Sequence, residues 1–237
     1  MMHFFTFAGK SSHDFGVRIS GEALFNSPER NYTEATVAGR NGTLIIDDGS
    51  FKNIDVTYPA FVVTDMPQRV QDFRNYMGSF KGYQRLEDTY APDTYRMAQY
   101  RGGLEVESSG YMNRQGTFNI TFNCKPQRFL KSGEIPITYT SNGKLYNRTN
   151  FEARPHIRVY GSGAGTVGIG QYTITISAID GYMDIDCEIM DAYKGATNCN
   201  DKVSFNADSF AIPSGENGVT FTGNITSVVI TPRTYII

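Results

Sequence analysis

Apolar and polar positions alternate with a period of two along most of this chain, and one stretch alone shows the helical period. Ile54, Val56 and Tyr58 alternate with Asp55 and Thr57, and Phe118, Ile120 and Phe122 alternate within Thr117 to Cys124. Successive side chains of a strand point to opposite faces, so each segment predicts a half-buried strand. Phe5 to Phe7 and Gly16 to Ile19 read as short strands around a polar turn at Gly9 to Asp14. Tyr83 to Asp88 and Tyr95 to Tyr100 read as strands flanking an Ala91-Pro92-Asp93 turn, where Pro presets φ. Ahead of these two strands Val70, Phe73, Met77 and Phe80 recur at helical spacing, with Asp65 as cap, Pro67 in the first turn, Gln68 three residues past Asp65, and Gly78 at the end.

The run Val37 to Tyr58 carries two turn signals, Asn41-Gly42 and Asp48-Gly49. Each suits a two-residue hairpin turn, because Gly takes positive φ freely and Asn or Asp tolerates it. With Asp48-Gly49 as the turn, Ile46 would face Phe51 across the ladder. Past Lys125-Pro126 the pattern weakens until Ile135, which places a domain boundary near Leu130 to Glu134. The division expected is 1–131 and 132–237. The second half reads as strands at His156 to Tyr160, Tyr172 to Ile176, Tyr182 to Met190, Val203 to Ala207, Val219 to Thr222 and Ser227 to Thr231, spaced as in a sandwich. The fold class is therefore mainly β: two β-sandwich domains, the first with one α-helix and a β-hairpin.

Composition sharpens this picture. The 237 residues are 40% hydrophobic and 19% charged, with 16 Phe, 15 Tyr, 24 Gly and no Trp, which favours strands joined by tight turns. The net charge is −2, and neither half departs far from neutrality, which argues against a nucleic-acid-binding surface. Cys124, Cys187 and Cys199 show no zinc-type spacing and read as reduced, structural residues. The N-terminus lacks the pattern of a signal peptide, and no stretch is long and apolar enough to span a membrane, so a protein made in a cytoplasm is expected.

Candidate chemistry is sparse. Gly163, Gly165 and Gly168 match the dinucleotide fingerprint, but that motif needs a helix at the glycines and the sequence continues as strand, so the run reads as a glycine-rich hairpin loop. Asp184, Asp186 and Glu188 line one face of a strand, which as opposed carboxylates would be glycosidase-like and as a lone row is a solvated face. His3, His13 and His156 fall in no metal-ligand spacing. Glycan binding by the second half is an alternative, with Tyr160, Tyr172 or Tyr182 replacing the usual Trp. No catalytic residue, cofactor or metal is expected.

Taken in order, several segments resemble the distal tail (Dit) proteins of long-tailed phages with non-contractile tails, from phages and prophages of Gram-positive bacteria. They are F-T-F-A-G-K-S-S-H-D-F-G-V near the start, G-R-N-G-T-L-I-I-D-D-G-S-F-K-N, the helix after Pro67, and Y-Q-R-L-E-D-T-Y-A-P-D-T-Y-R-M-A. F-N-C-K-P-Q-R-F, R-P-H-I-R-V-Y-G-S-G, Y-M-D-I-D-C-E, G-E-N-G-V-T-F-T-G and I-T-P-R follow. The resemblance implies a ring-forming first sandwich and a galectin-like second one. It also implies a non-enzymatic homo-hexamer at the virion tail tip. That ring joins the tail tube protein to the tail-associated lysin or fibre protein and in some members to receptor-binding proteins. DNA passes through its lumen without sequence-specific contact, no membrane is involved, and the subunit is made in the host bacterial cytoplasm. The hairpin would help close the ring, with Gly39, Arg40, Asn41, Gly42, Asp47, Asp48, Gly49, Phe51 and Asn53 as its interface residues. Thr234-Tyr235 stands where such tails lead one to expect Trp, and the chain has no room for an inserted carbohydrate module.

Overall fold

The structure, a computed structural model, describes residues 2–20, 26–109 and 114–237. It is mainly β, with one α-helix, and divides into two compact units, Met1–Arg128 with Ile237, and Phe129–Ile236.

The first unit contains β1 (Phe5–Phe7), β2 (Lys10–Ser11), β3 (Arg18–Ile19), β4 (Arg30–Thr36), β5 (Thr43–Phe51), β6 (Ile54–Val62), α1 (Met66–Gly78), β7 (Gln84–Asp88), β8 (Thr94–Tyr100), β9 (Glu107–Ser109) and β10 (Gln115–Leu130). One antiparallel sheet runs β2-β1-β7-β8-β10-β6-β3, with β9 added to β10. Its backbone is the long pairing of β6 with β10, where Ile54, Val56 and Tyr58 meet Cys124, Phe122 and Ile120. That register puts every apolar member of the two alternating segments on one buried face. Helix α1 turns Met66, Val70, Phe73 and Met77 into the same core. The Phe122 ring lies 5.2 Å from those of both Phe5 and Phe7, so the aromatics of β1 and β10 lock together.

Two local expectations are corrected. Asp65 stands at the N-cap position in a left-handed conformation, and its side chain makes no capping bond. It is turned instead toward Arg114, 3.6 Å away, and Gln68 bonds Asp72 one turn on rather than reaching back. The polar stretch after Gly9 is also more structured than a turn. Lys10–Ser11 pairs with β1, and Ser11 and Asp14 form a reciprocal capping box on a short 3-10 turn.

The second unit contains β11 (Ile137–Tyr139), β12 (Gly143–Asn147), β13 (His156–Ile169), β14 (Tyr172–Asp186), β15 (Asp191–Lys194), β16 (Thr197–Asn198), β17 (Val203–Phe205), β18 (Gly215–Thr231) and β19 (Tyr235–Ile236). Three strands of 14 to 17 residues, β13, β14 and β18, form its frame in the order β18-β13-β14. Two of them join segments that alternation alone separates: Tyr172–Ile176 and the start of the Tyr182 segment are one strand, as are Val219–Thr222 and Ser227–Thr231. Glu188 to Met190 lie past the end of β14.

The glycines explain the difference. The β13–β14 register shifts between Gly163 and Gly165, and β13–β18 shifts around Gly161. A Cβ on Gly161 would stand 2.4 Å from the Asn224 carbonyl oxygen, and one on Gly165 would stand 2.5 Å from that of Thr222. Backbones pass so closely at these bulges that a side chain has no room, which lets long strands bend without ending. Gly163, Gly165 and Gly168 therefore sit inside a bulged strand rather than in a hairpin loop. The β13–β14 connection is Gly170-Gln171, two residues later.

Candidate assembly hairpin

Strands β4 and β5 form a two-stranded sheet of their own. Tyr32 faces Asp47, Thr33 faces Ile46, Glu34 faces Ile45, Ala35 faces Leu44, and Thr36 faces Thr43. Six residues, 37–42, connect the strands, so Asn41-Gly42 lies in a longer loop rather than forming a two-residue turn. The loop is braced by the Arg40 N–H donating to the Val37 carbonyl, with Gly39 and Gly42 at φ of +79° and +81°.

Asp48-Gly49 is not a turn. It lies within β5, where the register jumps from Tyr32–Asp47 to Arg30–Phe51, placing Asp48, Gly49 and Ser50 opposite Asn31 alone. Gly49 takes φ of +70° there, and its N–H donates to Asp47 Oδ1 at 2.8 Å. The positive φ that suits a hairpin turn serves a bulge equally well. Ile46 consequently faces Thr33, and Phe51 faces Arg30, in place of an Ile46–Phe51 pair. The missed partner, Arg30–Thr36, shows no apolar alternation because neither of its faces enters a core.

Polar clamps hold the bulge and root. Arg30 Nη1 pairs with Asp47 Oδ2 at 3.0 Å while its guanidinium lies 4.7 Å over the Phe51 ring. Asn31 Nδ2 donates to Ser50 Oγ, and Lys52 Nζ pairs with Glu29. Asn53 lies below the arm, donating to Tyr83 Oη and to Asn123 Oδ1, and Asn123 in turn donates to Asp55. The nine expected site residues thus split into three places: Gly39, Arg40, Asn41 and Gly42 at the tip, Asp47, Asp48, Gly49 and Phe51 at the bulge, and Asn53 at the root.

The side chains that sequence reasoning passed over lie between tip and bulge. Leu44 and Ile46 point to one face with Ala35, and Ile45 points to the other with Tyr32. All four large side chains are exposed, Ile45 by 63% and Ile46 by 51%. A single hairpin is marginally stable in water, and open strand edges invite further pairing. Five apolar or aromatic residues (Tyr32, Val37, Leu44, Ile45, Ile46) stand exposed together on one ribbon, more than the single scattered apolar residues of an ordinary surface. The run Leu44-Ile45-Ile46 was legible as the signal, since apolar residues in succession cannot all face one core.

The outer face of the second unit is chemically different. Arg158 grips Asp184 with two hydrogen bonds of 2.7 and 2.9 Å, and Arg233 grips Asp186 likewise at 2.8 and 3.0 Å. Burial would raise the Asp186 carboxyl, but the Arg233 bonds and a Glu188 N–H outweigh it and hold it below the usual aspartate range. His156 Nε2 is 3.5 Å from Asp184 and 3.3 Å from Tyr193 Oη. Burial draws its pKa down more than the carboxylates raise it. Glu188 stands apart from the row. Each carboxylate of the row is taken up by its own arginine, so the row is a set of ion pairs rather than two opposed free carboxyls. Tyr160 and Tyr182 lie side by side, 6.5 Å between centroids, whereas Tyr172 packs on Phe210. Burial pushes the Cys124 and Cys187 thiols up to about 12, far from a reactive thiolate. Among the described residues no group of His, Cys, Asp and Glu could hold a metal ion, and no helix is long and apolar enough to cross a membrane.

No protein-family model and no curated protein sequence matches the chain. Among solved structures it is similar to the Dit protein of phage SPP1, described as a paradigm of the hub adsorption apparatus in phages infecting Gram-positive bacteria. The TM-score is 0.78, all of each chain is covered, and 12% of residues are identical. The chain has the fold of that Dit protein. At this identity the likeness lies in the architecture, from the N-terminal sheet with its single helix to the second unit with its long bent strands.

Proposed function

We propose that this protein is a non-enzymatic subunit of a phage tail-tip hub. The observation that carries the reading is the likeness to the SPP1 Dit protein over the whole length of both chains. Six copies would form a ring joining the tail tube to the tail-associated lysin or fibre protein, and to receptor-binding proteins where a phage has them. The site of action is then the virion, after synthesis in the host cytoplasm. A near-neutral surface suits a channel through which DNA slides, since each phosphate contact by Lys or Arg adds non-specific affinity.

The β4–β5 hairpin supplies the inter-subunit element in this reading. A ring needs a heterologous contact, one surface meeting a different one on the next copy. An arm whose apolar residues and strand edges lie outside any core is suited to provide one side of it. Burying an isoleucine that now stands exposed contributes on the order of 1–2 kcal/mol.

Light scattering and negative-stain microscopy of the purified protein test both levels. Six-fold rings are expected, and a persistent monomer at high concentration would overturn the hub reading. In Ile45→Asp the fold should persist, with stability within about 0.5 kcal/mol because the site is exposed. Ring association should weaken by roughly tenfold or more, each 1.4 kcal/mol being a factor of ten. Rings that form undiminished in this variant would remove the hairpin from the interface.

A further inference from the structure

Three Asn-Gly pairs occur in this chain, Asn41-Gly42, Asn142-Gly143 and Asn217-Gly218, and the structure treats them unequally. Asn217 is buried, and its Nδ2 donates to the carbonyls of Pro213 and Gly215, while Gly218 lies within the β18 ladder against Lys144. Asn142 Oδ1 accepts from the Phe221 N–H, and Gly143 pairs with Val219. Asn41 is exposed at the hairpin tip. Among the described residues neither its side-chain amide nor the Gly42 N–H has a hydrogen-bond partner. A Cβ at Gly42 would meet nothing within 4 Å, so the space around this peptide is open.

We propose that Asn41 is a site of spontaneous deamidation that ages the unassembled subunit. The Gly42 backbone nitrogen loses its proton to water or hydroxide and attacks Asn41 Cγ. A new N–Cγ bond forms, the Cγ–Nδ2 bond breaks, and ammonia leaves a five-membered cyclic imide. Water then opens either C–N bond of that ring, giving aspartate or, with an extra methylene in the backbone, isoaspartate. No redox partner or enzyme is required. Gly is the residue that least obstructs the attack, because it lacks a Cβ and moves freely between φ regions. At Asn142 and Asn217 the amide and the following glycine are held, so reaction there waits on local opening.

The product changes the tip in two ways. It places a negative charge beside Arg40, and the isoaspartate form lengthens a loop whose length fits the ends of β4 and β5. Given the ring reading of the hairpin, aged subunits would join rings poorly, and docking would shield Asn41 from further reaction.

Incubating the intact protein at mildly alkaline pH in heavy-oxygen water, then mapping peptides by mass spectrometry, tests this directly. Heavy oxygen should enter the Asn41 peptide at least about tenfold faster than the other two, since each 1.4 kcal/mol of local opening costs a factor of ten. Equal labelling of the three pairs, or none at Asn41, would overturn the proposal. Repeating the incubation on assembled rings separates the two levels. Slower labelling of Asn41 there is expected. An undiminished rate would leave the modification standing and place the tip outside the subunit contact.

Discussion

The hairpin and the outer face of the second unit are both surface regions built on antiparallel strands, yet they solve opposite problems. On the second unit, Asp184 keeps only 4% of its side chain exposed although it points away from the core, because Arg158, His156 and Tyr193 cover it. Asp184 meets Arg158 from the adjoining strand, and Asp186 meets Arg233 from the C-terminal segment. On the hairpin, the ion pairs lie at the bulge and the root, and the middle of the arm offers isoleucine and leucine to solvent. A surface whose polar groups are satisfied within the chain gains nothing from a partner that must strip them. A surface whose apolar groups stand in water gains on any fitting contact. The difference separates a face whose Asp184 and Asp186 carboxylates are satisfied within the chain from an arm that leaves its large apolar side chains in water.

The comparison can be broken first at Arg158. Arg158→Ala leaves the Asp184 carboxylate buried without its bidentate partner, and unpaired buried charges are costly. A loss of about 3 kcal/mol is expected in the second unit, toward the lower end for buried pairs because Arg158 itself is 44% exposed. Hydrogen exchange read peptide by peptide should show β13 and β14 losing protection while β6 and β10 keep theirs. Unchanged protection in β13 would mean the face is less self-contained than its geometry implies. At the hairpin, Gly49→Val forces a β-branched residue to φ near +70° and costs roughly 1–2 kcal/mol. That cost should appear only as faster exchange in β4 and β5 and, on the proposed hub reading, weaker ring association. A drop in the protection of β10 would contradict the arm's independence from the first core.

Much of this organisation was legible in the sequence. The alternations at Ile54 to Tyr58 and Phe118 to Phe122 set the central pair of the first sheet, and the 3.6-residue stripe from Val70 to Met77 set the helix. Part of what escaped has one physical cause: glycine marks positive φ or close backbone approach without saying which structure uses it. Gly49 served a bulge where a turn was expected, and Gly161 to Gly165 let one strand bend where a loop was expected. Arg30–Thr36 escaped because a strand with no buried face has no period to read. The arginine pairings also lay beyond the sequence, since Arg233 reaches Asp186 from 47 residues away. The interface residues expected from resemblance were mainly turn residues. The exposed Leu44, Ile45 and Ile46 carry the stronger physical case.

The smallest expected effect sharpens the comparison through pH. His156 faces Asp184, Asp186, Arg158, Arg233 and Tyr193, and burial with the two arginines outweighs the carboxylates, so its folded pKa lies below its unfolded value. As pH falls below about 6.5 the unfolded chain takes up a proton that the folded chain resists. Stability of the second unit is therefore full above that pH and declines on acidification through the folded pKa. Asp186, also lowered, adds a second loss of the same sign below the ordinary aspartate range. His156→Asn removes the first loss and keeps the second. The drop in β13 and β14 protection between pH 7 and pH 5 should shrink in this variant, while the loss near the carboxylate range persists. Equal drops in the variant and the parent would assign the near-neutral step to other groups. The hairpin should lack the near-neutral step, because no histidine is present among its described residues.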